Sequence, residues 1–255
     1  MTHPHESDSQ EQSRLSPTDA VAPWPARICC GPWRGCSAAL LGGLMTWGVL
    51  QGCFPVFEIP VELRDLPSPQ PPDLAAQAAQ ATEVATRWNA ALTLGILGFA
   101  VAALIAGVEA FSRSAAASAW WRALISGLIA GGLAAAGGLV ASLLLVSPQP
   151  LGETSPLART ITVHCVGLGV LGFGVGAAVG LTAGGVRLAA HAALGGLLGG
   201  VLIGFLYPSL MAYLLPIAKT ERVIPLEPVS QLIWLAAAAV LPTLIMTSLG
   251  RKKAG

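Results

Sequence analysis

Charge is scarce in this chain. Lys, Arg, Asp and Glu make up 11% of its residues, against about 25% in a typical soluble domain. A net charge of +1 gives no electrostatic basis for nucleic-acid binding, and no nucleic-acid partner is expected. Neither zinc-finger spacing nor a Walker motif occurs, and no cofactor or metal motif is legible. The five cysteines, Cys29, Cys30, Cys36, Cys53 and Cys165, are odd in number and do not form a disulfide framework. Residues 1–34 are polar and Pro-rich, with no apolar stretch near the start to serve as a cleaved signal peptide.

What replaces charge is apolar sequence, 54% of the chain. It falls into long runs that exceed what one soluble core needs. The expected fold is an all-α integral membrane protein, a bundle of about six transmembrane helices embedded in the lipid bilayer. The spans are read at 36–57, 89–109, 123–147, 161–183, 190–215 and 231–249. The third and fourth are expected to be the least hydrophobic, because Ala and Gly dilute them.

Residues 1–34 are read as a disordered cytoplasmic leader, 35–249 as the transmembrane domain and 250–255 as a basic cytoplasmic tail. The first span is expected to act as an uncleaved signal-anchor. With the N-terminus inside, nine basic residues lie on the inner side and five (Arg64, Arg87, Arg159, Lys219 and Arg222) on the outer. By the positive-inside rule both termini are cytoplasmic, in a multi-pass protein of the cell membrane. The extramembrane loop 58–87 begins extended and Pro-stiffened, then turns helical. Leu74, Ala78, Ala81, Ala85 and Trp88 fall on one face of that helix. It is expected to extend the second span out of the membrane, with a helix lying on the membrane surface as the alternative.

LGILGFAVAALIAGVEAFSR at 94–113 aligns without gaps to LGVLGFGVGAAVGLTAGGVR at 168–187, with eight identities. ISGLIAGGL at 125–133 likewise matches LGGLLGGVL at 194–202. The pattern points to a duplicated helical hairpin, 88–148 and 162–216, as parallel repeats.

Glycine is concentrated in these spans at four-residue intervals. Gly172, Gly176, Gly180 and Gly184 form one stripe, Gly196, Gly200 and Gly204 a second, and Gly127 with Gly131 a third. Small residues at this spacing let helix backbones approach closely in lipid. Three uses are open: packing within the bundle, contact with a second copy or partner subunit, or the lining of a cavity.

Groups for chemistry are few. Glu109, four residues before Arg113, suits an interfacial ion pair. His164 is read as an interfacial histidine, and His191 as a headgroup contact or a helix-terminating residue. Cys29 and Cys30 have juxtamembrane spacing suited to S-acylation. Trp33, Trp88, Trp120, Trp121 and Trp234 mark span ends. Pro208 and Pro242 are expected to kink their helices, with Tyr207, Ser209, Tyr213 and Thr243 near the kinks; a static kink is the expected use and a broken-helix binding site the alternative. No catalytic set assembles. The expected function is that of a non-catalytic accessory, scaffold or assembly subunit, partnered by other membrane-protein subunits or by its own copies. The alternative is a small transporter or channel for a neutral or hydrophobic substrate.

Overall fold

The structure is a computed structural model that describes residues 31–64, 71–112, 116–146, 155–214 and 223–249. The described residues form seven helices and no strand. These are α1 (Pro32–Cys53), α2 (Val61–Arg64), α3 (Pro72–Phe111), α4 (Ala116–Val146), α5 (Pro156–Gly184), α6 (Val186–Leu214) and α7 (Pro228–Leu249). All but α2 are long and apolar enough to cross a bilayer. This is the architecture of a multi-pass helical membrane protein.

The helix starts follow a common rule. Pro32, Pro72 and Pro156 each occupy the first turn, where a missing N–H costs nothing. Ser155 adds a cap, its hydroxyl accepting from the Ala158 N–H at 3.2 Å. At the far end of α4 the Arg159 guanidinium donates to the carbonyl of Leu145, satisfying an orphan acceptor of the last turn.

Two expected boundaries need correction. α1 stops at Cys53 rather than 57, because Pro55 forces Phe54 into extended backbone (φ −92°, ψ 137°). It also begins at Pro32, inside the stretch assigned to the leader; the rest of that leader and the basic tail lie outside the described residues. α1, rather than α4 or α5, is the least apolar span. It carries Arg34, Gln51 and two tryptophans.

The spanning helices form a closed ring in chain order. Each packs on the next, α7 returns to α1, α1 packs on α3, and α5 also touches α3 and α7. The ring is filled rather than hollow. Leu94, Leu97 and Ile105 of α3 meet Leu168 and Leu171 of α5 and Leu235 of α7 in one buried cluster. Large apolar side chains such as Leu44, Leu128, Leu198 and Phe205 face outward, as lipid contact requires.

α3 is the exception in length. Its 40 residues extend about 60 Å at 1.5 Å per residue, twice the roughly 30 Å hydrocarbon thickness. The N-terminal half of α3 is therefore a stem standing beyond the bundle. Leu74, Ala78 and Ala81 are partly covered and Ala85 is buried, whereas Trp88 is exposed. The segment 58–87 is thus mostly helical, and 65–70 lie outside the described residues.

Candidate functional site

The α5–α6 hairpin has the closest packing. One residue, Gly185, separates the two helices. Its backbone (φ 86°, ψ −170°) lies in a region essentially reserved for glycine. From that turn the helices run back to back. A Cβ on Gly180 would strike the Ala189 backbone, and one on Gly176 the Ala192 carbonyl. Gly172 and Gly196 would each place a Cβ on the other's carbonyl oxygen. Gly200 meets the Leu168 carbonyl, and Gly204 would bring a Cβ to 2.6 Å from the Cys165 backbone. Gly184 stands apart from this seam, exposed beside the turn.

α6 uses a second column against α7. A Cβ on Gly195 would come within 2.8 Å of Met246 Cα, and Gly199 abuts the Pro242 backbone. In α4, Gly127 faces the Phe99 ring of α3, and Gly131 lies 3.0 Å, measured from an added Cβ, from the Gly95 carbonyl. Gly132 faces open space, with nothing within 4 Å of such a Cβ. Gly132→Ala should therefore raise stability by about 0.5–1 kcal/mol, the helix penalty of glycine. A thermal unfolding midpoint in one fixed detergent checks this; a lowered midpoint would show that the face is occupied.

Pro208 and Pro242 are both buried, and α6 and α7 run through them as continuous helices. The polar groups nearby are turned to their own helices. Ser209 donates to the Phe205 carbonyl at 3.1 Å and Thr243 to that of Ala239 at 2.8 Å. Such back-bonding satisfies a hydroxyl without a ligand. Tyr213 is exposed, whereas Tyr207 is buried.

Two residues read near span ends are buried within the bundle. His164 is 2% exposed; its Nδ1 lies 2.9 Å from the Thr160 carbonyl and its ring 5.6 Å from that of Tyr207. Trp234 is 1% exposed. Both lie near a helix end in sequence, but the ring encloses that end. His164 Nε2, Trp234 Nε1, Gln231 Nε2 and Thr93 Oγ1 are buried without a hydrogen-bond partner. Gln231 Oε1 accepts from Gln51 Nε2 at 2.7 Å, tying α7 to α1.

At the opposite end of the bundle Glu109 is buried. With Arg122 and Thr182 it lines a cavity of about 10 Å³, room for about one water. Its expected partner Arg113 lies outside the described residues, as do Cys29 and Cys30. His191 Nδ1 lies 2.8 Å from the Arg187 carbonyl of its own helix. Among the described residues, no three His, Cys, Asp or Glu side chains are grouped to hold a metal.

On the stem side the chain builds an enclosed cleft. Asn89 creates it. The Asn89 Oδ1 accepts from the Val56 and Phe57 N–H groups at 3.0 and 3.1 Å, and its Nδ2 donates to the Phe57 carbonyl at 2.9 Å. This clamps the segment after α1 onto the base of the stem. Between that segment, the stem, Leu145 of α4 and Val223–Ile224 before α7 lies a cavity of about 400 Å³. That volume suits a small ligand. Glu58 and Arg64, an exposed ion pair at 3.0 Å, also line it. The sequence reading missed Asn89. A lone amide at the first turn of an apolar span was the available signal.

No family model, curated protein or solved structure matches this chain.

Proposed function

We propose that this protein is a non-catalytic accessory or assembly subunit of a larger membrane complex. The stem carries that reading. A helix extending far beyond its bilayer crossing offers a surface outside the lipid on which a partner can dock. It presents Val84 and Trp88, beside Val56, Phe57 and Val61 of the clamped segment, all exposed. An exposed apolar strip of this kind suits a partner subunit. The excess of basic residues at the other end of the bundle supports a cell-membrane orientation with both termini cytoplasmic and the stem outside.

Duplication of a hairpin accounts for the scaffold. α3–α4 and α5–α6 are the two most extensively packed pairs. The Gly131–Gly95 approach in the first has its counterpart, by the sequence alignment, in Gly200–Gly169 of the second, where an added Cβ on Gly200 would lie 2.9 Å from Gly169 Cα.

Purification of the tagged protein from its native membrane in mild detergent tests the reading. A partner at fixed stoichiometry is expected, and Val84→Glu should reduce its recovery about tenfold, as loss of one buried apolar anchor does. The competing reading, a small transporter of a neutral or hydrophobic substrate, draws on Pro208 and Pro242 within α6 and α7. A partner-free protein that carries flux in liposomes would establish it and remove the first.

A further inference from the structure

We infer that the stem-side cleft binds a single phospholipid, with an acyl chain in the cavity and the phosphate at Arg64. Three observations carry this, independently of what the stem docks. The first is position. The cleft is walled by Phe54 just past the end of α1, Leu145 near the end of α4, and Ile224 just before α7. Three span ends at one level place its base at the bilayer surface, where a lipid enters by lifting one chain.

The second is the lining. Phe54, Phe57, Ala90, Leu145, Val223 and Ile224 make an apolar interior. Two of the three neutral polar side chains lining it, Asn89 and Thr82 but not Thr86, are already engaged. Asn89 is spent on the clamp, and the Thr82 hydroxyl donates to the Ala78 carbonyl at 2.7 Å. Such a chamber gains from burying hydrocarbon and offers little to a polar solute.

The third is the charge. Arg64 lines the cleft, held by Glu58 at 3.0 Å with both side chains at least half exposed. An exposed pair of this kind is weak, so a phosphate can take over the guanidinium through charge-assisted bonds. An apolar chamber with a releasable cation beside it matches an acyl chain joined to a phosphate.

The test uses the full chain in phosphatidylcholine vesicles containing a phosphatidylcholine with a diazirine on its acyl chain. Adducts are mapped by mass spectrometry after irradiation. Adducts are expected on 54–59 and 82–90, as well as on the outward-facing Phe205 of α6. Thr86→Trp, which fills the cleft, should lower the cleft adducts at least about fivefold relative to those on Phe205. Arg64→Ala, at an exposed site that does not threaten folding, should lower them about two- to threefold. It should not change labelling by a diazirine-bearing fatty alcohol, which lacks the phosphate. Adducts confined to outward-facing span residues would overturn the proposal. So would cleft adducts insensitive to both substitutions, and so would a partner peptide occupying the cleft in the purified complex.

Discussion

Gly176→Leu should unfold the α5–α6 hairpin's packing and lower the thermal midpoint of the whole bundle. The obstacle is backbone. A side chain at 176 meets the Ala192 carbonyl, which cannot rotate away as a side-chain tip can. The helices must separate toward an ordinary 8–10 Å spacing. Separation at one point opens the whole seam, because the contacts at Gly172, Gly180, Gly196, Gly200 and Gly204 all depend on the same approach. In lipid, those close contacts replace the hydrophobic effect as the cause of association. Overpacking usually costs about 1–3 kcal/mol, and here about 3 kcal/mol or more is expected. That corresponds to about 6–12 °C for a chain of this size. Thermal unfolding in one fixed detergent measures it, with Gly132→Ala moving the opposite way. An unchanged midpoint for Gly176→Leu would remove the seam from the account of stability.

Asn89→Ala should release the segment 54–59 from the stem while leaving the bundle folded. Three hydrogen bonds disappear together. Each is worth about 1 kcal/mol net, and the abandoned Val56 and Phe57 backbone groups add a desolvation cost where they stay covered. A local loss of about 2–4 kcal/mol follows. Hydrogen exchange at Val56 and Phe57 should accelerate about 30- to 1,000-fold, since 1.4 kcal/mol is a factor of ten. Amides in α5 should keep their protection. Unchanged exchange at Val56 and Phe57 would show that the segment is held by apolar contacts alone. A midpoint loss as large as that of Gly176→Leu would show that the clamp supports the whole bundle.

These two residues also mark what the sequence makes legible. The six spans were readable because length and apolarity are properties of a continuous segment. The readable limits differ from the structure by a few residues where a proline sets the helix end, as at Pro32 and Pro55. Four-residue glycine spacing defined faces, yet not their neighbours. Nothing local in LGGLLGG distinguishes the Gly196 column, turned to α5, from the Gly195 column, turned to α7.

The burial of His164 and Trp234 was not legible for a related reason. Distance from a helix end gives depth along the axis, while burial depends on which way the side chain points in the ring. Asn89 escaped notice because its partners lie 32 and 33 residues away. The cleft depends on four separate chain segments, so no single stretch announces it.

The turn at Gly185 has a further consequence, for changes of chain length. With one residue between α5 and α6, connectivity leaves no slack to absorb an added or deleted codon. Shifting one helix by a single position rotates its face by about 100°, carrying the glycines out of the seam and a bulky neighbour in. A lineage of such proteins would therefore accept many substitutions on the lipid-facing side of this hairpin. It would keep the distance between Gly176 and Ala192 constant to the residue.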